Sequence, residues 1–169
     1  MQTSELKQII RNIKLLVLDV DGVLTDGSLF YAKDGEHIKK FNVRDGQGIK
    51  LAQSYNIEIA LISARKCEIV LNRFDELGVK HIYQHCYDKA KKIKELSTEL
   101  NISLSEIAYI GDDILDVPPL EIVGLSICPK DAHPSAKLKA QLITETKGGY
   151  GCVREIIDLI LIEQGKINL

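Results

Sequence analysis

Lys14-Leu15-Leu16-Val17-Leu18-Asp19-Val20-Asp21-Gly22-Val23-Leu24-Thr25 passes from an apolar run straight into two carboxylates and a glycine. Lys14 to Asp19 reads as a β-strand, and a strand ending in Asp19 and Asp21 delivers both acids to a sheet's carboxyl edge, where open α/β folds bind ligands. Gly22 lets the chain turn sharply away. Two acids at i and i+2 of a strand point the same way, but a turn starting at Asp21 separates them enough to take different tasks. Alone, an Asp-x-Asp is more readily read as a solvated acidic turn. Other motifs fail on residue type. A calcium loop needs an oxygen ligand at its fifth position and glycine at its sixth, where Val23 and Leu24 stand. Gly22 to Gly27 is followed by Ser28 rather than the lysine of a P-loop, and no G-x-G-x-x-G follows a strand, since Gly46 and Gly48 lead to Leu51.

Outward from this strand, β-branched runs alternate with amphipathic segments. Strands are expected at Glu58 to Ile62, His81 to Gln84, Ile107 to Ile110, Leu125 to Ile127 and Leu142 to Thr144. Helices are expected at Gly48 to Tyr55, Cys67 to Leu77, Asp88 to Leu100, Ile114 to Val123 and Val153 to Glu163. Such alternation implies an α/β fold: a three-layer, doubly wound parallel sheet with helices on both faces. Ser28 to Ala32 and His37 to Phe41 interrupt it as a β-hairpin over Ser28 to Phe41, turning at Lys33-Asp34-Gly35-Glu36, whose Asp-Gly pair suits a tight turn. The hairpin should protrude beside the carboxyl edge.

At 169 residues, with no linker, repeat or low-complexity tract, the chain is expected to form one domain over 1–169, given about 150 residues per domain. The 22 Lys plus Arg against 24 Asp plus Glu leave a net charge of -2, without the basic surplus of a nucleic-acid binder. The longest apolar runs fall far short of the ~18 residues of a membrane span. Met1 to Arg11 lacks the apolar core of a secretory signal, so the expected compartment is the cytoplasm. Cys67, Cys86, Cys128 and Cys152 form no C-x-x-C pair and suggest reduced thiols. His81 and His85 fall on a strand end and a loop, not on one helix face, so no metal role is expected for them; His37 and His133 are read as structural.

Three further strand ends carry complementary groups. Glu58 to Ile62 ends at Ser63-Ala64-Arg65, the strand from His81 is followed by Asp88-Lys89 at the start of a helix, and Ile107 to Ile110 runs into Gly111-Asp112-Asp113 with Asp116 beyond. Each has a plain reading: Ser63 as a helix cap, Lys89 on a solvated face beside Lys91 and Lys92, and the aspartates as charges at a helix N-terminus. Two acidic and two donor-bearing ends in order are harder to assign to chance.

Asp19-x-Asp21-Gly22, Ser63, Lys89 and Gly111-Asp112-Asp113-x-x-Asp116 resemble, in order and over essentially the whole chain, the four motifs of the haloacid dehalogenase superfamily of phosphatases. Gly22-Val23-Leu24-Thr25-Asp26-Gly27, Phe41-Asn42-Val43-Arg44-Asp45-Gly46, Tyr109-Ile110-Gly111-Asp112-Asp113, Asp131-Ala132-His133-Pro134 and Lys147-Gly148-Gly149 narrow the resemblance to the small capless 3-deoxy-D-manno-octulosonate 8-phosphate phosphatases. Ser63-Ala64-Arg65 stands where relatives often have Thr-Gly-Arg, and Tyr150 where a basic residue is frequent.

The resemblance implies a HAD-type domain without a cap and a phosphatase of lipopolysaccharide precursor synthesis. In it Asp19 is the nucleophile, forming an aspartyl-phosphate, while Asp21 protonates the leaving alkoxide and then activates water. Magnesium, replaceable by cobalt or manganese, would be held by Asp19, the Asp21 main-chain carbonyl and Asp112. Asp113 and Asp116 would orient these ligands or Lys89, and Ser63 and Lys89 would hold the phosphoryl oxygens. A homotetramer with pooled hairpins is implied, each site closed by a neighbour's Asn42 and Arg44 or by the tail from Gln164. Arg65 and Arg73 are expected to face the sugar acid's carboxylate. The nine-carbon, sialic-acid-type branch tends to carry an acid at the position of Arg65, which favours the eight-carbon substrate. A receiver-type signalling domain also groups acids, a hydroxyl and a lysine around magnesium, but on a middle strand; turnover of an aryl phosphate separates it from a phosphatase, and a non-catalytic binding module is the remaining alternative.

Overall fold

Every residue of β1 (Leu15–Leu18) is completely buried, which is why the run shows no polar alternation. The computed structural model describes residues 3–168, and all their side chains except those of Thr3, Glu36 and His37, so the reading of His37 falls outside the described residues. The other strands are β2 (Phe30–Ala32), β3 (Gly35–Ile38), β4 (Glu58–Ile62), β5 (His81–Tyr83), β6 (Ile107–Ile110), β7 (Leu125–Cys128) and β8 (Leu142–Ile143). The helices are α1 (Thr3–Arg11), α2 (Val43–Ser54), α3 (Glu68–Glu76), α4 (Lys89–Leu100), α5 (Val117–Ile122), α6 (Pro134–Lys137) and α7 (Cys152–Glu163).

Six strands form one parallel sheet in the order β5-β4-β1-β6-β7-β8, and β2 and β3 pair separately as an antiparallel hairpin. The strand order reverses at β1, so the crevice at the carboxyl ends of β4, β1 and β6 is the topological switch point. Successive residues of β1 face opposite layers. Leu16 and Leu18 join Ile49, Phe74 and Ile156 under α1, α2, α3 and α7; Leu15 and Val17 join Ile93, Leu96 and Leu120 under α4, α5 and α6. Among the described residues no helix is long and apolar enough to cross a membrane.

The expected three-layer α/β arrangement is thus present, and between β1 and β4 the chain carries only the hairpin and α2. Details differ. Helix α2 starts at Val43, not Gly48, capped by Asn42, whose side chain accepts from the Arg44 N–H at 2.8 Å. Gly46 and Gly48 mask its periodicity because both are contact points: a Cβ would lie 2.5 Å from Arg73 Nη2 at Gly46 and 2.9 Å from Arg154 Cδ at Gly48. The hairpin turns at Lys33-Asp34, one residue earlier than expected, with Gly35 already paired to Ala32. Ile114 to Val123 splits into a single 3₁₀ turn at Ile114–Asp116 and α5, which opens on Pro118 and Pro119. Helices α1 and α6 were not expected. The tail folds away from the carboxyl edge: Gln164 Nε2 donates to the Ile13 carbonyl at 2.8 Å and Lys166 Nζ to that of Tyr55 at 2.8 Å, at the amino ends of β1 and β4. It does not close its own chain's site.

Candidate active site

Asp19 continues the β1 ladder by donating its N–H to the Ile110 carbonyl at 3.0 Å, and the chain then coils, the Val20 carbonyl accepting from Leu24 at 2.9 Å and Thr25 at 3.1 Å. Gly22 adopts φ +84, and a Cβ there would sit 2.0 Å from Asp112 Oδ2; both the turn and the approach of the second acidic loop require glycine. The segment before α7 clamps this loop from outside. Gly149 N–H donates to the Val23 carbonyl at 2.9 Å, the Cys152 thiol to the same carbonyl at 3.3 Å, and a Cβ on Gly148 would lie 1.8 Å from the Gly22 oxygen.

The four predicted strand ends converge. Asp19, Asp21, Ser63, Arg65, Lys89, Asp112, Asp113 and Asp116 line one cavity of about 310 Å³. Lys89 is buried and bridges two carboxylates, with Nζ 3.0 Å from Asp19 Oδ1 and 2.6 Å from Asp116 Oδ1. Asp116 is the hub of the acidic loop: Oδ1 also accepts from the Tyr109 hydroxyl at 2.5 Å, while Oδ2 accepts the N–H groups of Asp112 at 2.9 Å and Asp113 at 3.0 Å. Ser63 does not cap a helix; α3 starts after Cys67, and Ser63 Oγ accepts from the Arg65 N–H at 3.2 Å.

Burial pushes the Asp19 carboxyl up to about 7, with Lys89 opposing and Asp116 adding to the shift. Burial likewise pushes Asp112 up to about 8, reinforced by Asp19, Asp116 and Asp113. Lys89 is held above its ordinary value: burial acts against its charge, but Asp19 and Asp116 outweigh it. The loop therefore holds more carboxylate charge than Lys89 balances, the condition that a divalent cation relieves. Oxygens of Asp19, Asp112 and Asp116 lie within 4.8 Å of one another. Both oxygens of Asp116 are already saturated with donors, so Asp19 and Asp112 are the side chains with capacity to hold a metal, and an all-oxygen set suits magnesium.

Other expected residues lie elsewhere. Arg73 does not line the cavity; it pairs with Glu76 at 3.2 Å and packs across Gly46 beside Asn42. Arg73 instead lines a small separate pocket with Asn42, Asp45 and Gly46. His133 caps α6 through Nδ1, as its structural reading anticipated. Lys39 was missed. Its ammonium contacts Asp21 Oδ1 directly, and its side chain is 1% exposed. In sequence it is one of two adjacent lysines on a hairpin arm, and only a period-two reading past β3 separates inward Lys39 from outward Lys40.

A carboxylate beside a buried ammonium, a second carboxylate two residues on and a cation-seeking acidic pair can together receive, stabilise and release a phosphoryl group. Residues 81–156 match the haloacid dehalogenase-like hydrolase family. Over 157 residues, 93% of this chain and 84% of the relative, the sequence is 46% identical to the 3-deoxy-D-manno-octulosonate 8-phosphate phosphatase KdsC of Salmonella typhi. The chain belongs to this phosphatase family. A crystal structure of the Yersinia pestis family member superposes with a TM-score of 0.93 at 43% identity, covering 96% of this chain and 88% of that one. The Moraxella catarrhalis phosphatase, solved with magnesium, phosphate and KDO, gives a TM-score of 0.94 at 36% identity, covering 97% and 94%. The family likeness thus spans both faces of the sheet and the hairpin, well beyond the stretch matched by the hydrolase family.

Proposed function

We propose that this chain is a magnesium-dependent phosphatase that releases phosphate from 3-deoxy-D-manno-octulosonate 8-phosphate in lipopolysaccharide precursor synthesis, with 1–169 acting as one catalytic domain. The observation that carries the reading is the Asp19–Lys89–Asp116 chain, which sets a nucleophile and a buried cation side by side at the switch point. Asp19 attacks phosphorus and becomes the aspartyl-phosphate; Asp21 gives a proton to the departing sugar oxygen and takes one from the attacking water. Lys89 and Ser63 hold non-bridging oxygens, and Asp116 fixes Lys89 and the Asp112 loop. Asp19, the Asp21 carbonyl and Asp112 would hold magnesium, which would supply the positive charge needed for an anionic nucleophile to meet an anionic phosphate.

Arg65 stands at the cavity mouth, with Nη2 donating to the Tyr31 hydroxyl at 3.0 Å, within reach of a substrate carboxylate. Leu29, Phe30, Tyr31 and Ile38 are exposed on an isolated two-stranded hairpin, which is marginal alone, and we assign these faces to a homotetramer. Asn42, Arg44 and Arg73 then serve a neighbour's site. The four cysteines are free thiols, which suits a reducing compartment, and we place the enzyme in the cytoplasm. The test compares phosphate release from the eight-carbon and nine-carbon sugar acid phosphates by wild type and Arg65→Ala. Wild type should prefer the eight-carbon compound, and Arg65→Ala should lose at least ~10-fold in kcat/KM on it, as expected for removal of a charge-assisted contact. Preference for the nine-carbon compound would overturn the substrate, and a monomer by light scattering at micromolar concentration would overturn the tetramer.

A further inference from the structure

We propose that Lys39 is a positioning residue for Asp21, deciding which oxygen of that carboxyl carries the transferred proton; this rests on the phosphatase reading above. A lysine side chain only 1% exposed needs a partner, and its ammonium lies against Asp21 Oδ1. The neighbouring Lys40 turns outward, with its side chain 51% exposed, 2.6 Å from Asp26 Oδ2 and 4.5 Å from the centre of the Tyr150 ring. Inward and outward lysines thus alternate as the hairpin rejoins the core.

An ammonium has donors and no acceptor. With Lys39 donating to Oδ1, that oxygen is held as an acceptor, so when Asp21 is a neutral acid its hydrogen resides on Oδ2. Oδ2 faces Arg65 Nε at 3.5 Å, too long for a good hydrogen bond, and is the oxygen left to serve the cavity that Asp21 lines. As Asp19 bonds to phosphorus and the bond from phosphorus to the sugar oxygen breaks, the Oδ2 proton passes to that oxygen. When water then attacks phosphorus and the bond to Asp19 breaks, the water's proton returns to Oδ2 and inorganic phosphate leaves.

The test is steady-state kinetics of Lys39→Met and Lys39→Arg in magnesium, on the sugar phosphate and on nitrophenyl phosphate. Because kcat/KM covers only the steps through departure of the leaving group, it separates an alkoxide that needs a proton from a nitrophenolate that does not. Lys39→Met should lose about 100-fold in kcat/KM on the sugar phosphate and less than about 3-fold on the aryl phosphate, with Lys39→Arg close to wild type on both, as expected for loss of general acid catalysis alone. Equal loss on the two substrates, or no loss, would overturn the proposal. If Lys39→Met does not fold, Lys39→Gln carries the same comparison, because its amide also accepts and no longer fixes the proton on one oxygen; an unchanged ratio between the substrates overturns it. Should wild type ignore the eight-carbon compound but hydrolyse another sugar phosphate, the substrate reading fails and the comparison proceeds on that alkyl phosphate.

Discussion

Replacing Asp116 by asparagine keeps the side chain's volume and removes half of its accepting capacity. Asp116 is fully buried and accepts from four donors, Lys89 Nζ and the Tyr109 hydroxyl on one oxygen and the N–H groups of Asp112 and Asp113 on the other. An asparagine oxygen can serve only one of these pairs. Turned toward Lys89, which cannot accept, it leaves its own NH₂ facing two backbone N–H groups. Each donor so stranded costs ~1–3 kcal/mol, and Lys89 retains one carboxylate partner instead of two, so the loss should be about 4 kcal/mol. A domain of this kind has roughly 5–15 kcal/mol in total, so the variant still folds. Urea denaturation in magnesium should show the midpoint falling by about 2 M at unchanged slope, for a slope near 2 kcal/mol/M. Asp113→Asn is the control: the residue is exposed and its side chain accepts from the Ile114 N–H at 2.7 Å, which asparagine also does, so its change should stay below ~0.5 kcal/mol. A loss at Asp116→Asn below ~1 kcal/mol, or no larger than at Asp113→Asn, would refute the hub assignment.

Asp19→Asn should abolish phosphate release while the protein still folds, since burial already disfavours the Asp19 charge and Lys89 keeps Asp116 as a partner; retained turnover would rule out Asp19 as the nucleophile. In chelator, Asp19 and Asp112 have folded values of about 7 and about 8 against an ordinary 3.8, so the folded protein binds protons more tightly than the unfolded chain. Metal-free stability should therefore fall as pH rises from about 4 to about 8, and magnesium should flatten that decline while restoring turnover; calorimetry across this range with and without magnesium checks both, and identical profiles would contradict the metal assignment. Gly22→Ala should lose activity on all phosphate esters, because its methyl group would occupy the place of Asp112 Oδ2 at a φ of +84, and wild-type kinetics in that variant would show that the two acidic loops need not touch.

The buried strands were legible because apolar runs bounded by charge have few alternatives at their length, and the carboxyl-edge groups followed from where the runs stop. Asp19, Asp21, Ser63, Lys89 and Asp112 accordingly meet in one cavity. The start of α2 was not legible, because Gly46 and Gly48 answer to Arg73 and Arg154, contacts that exist only once the helices pack. Lys39 was hidden for a related reason: its burial depends on the return path of a hairpin whose turn and bulge, between Phe30 and Tyr31, are set by local backbone rather than by hydrophobic pattern. Arg73 was placed by sequence distance along a helix, which says nothing of where Gly46, lacking a side chain, lets it settle.

The clamp of Gly148, Gly149 and Cys152 on the loop after Asp21 ties that loop to residues more than 120 positions further along the chain. Gly149 is made 128 residues after Asp21, a delay of roughly 6 to 25 s at ~5–20 residues per second. Throughout that interval the first acidic loop exists without the backbone that shapes it. Competence to hold a cation is thus acquired well after both acids of the first loop are made, and a nascent chain carrying only those acids is not yet an enzyme.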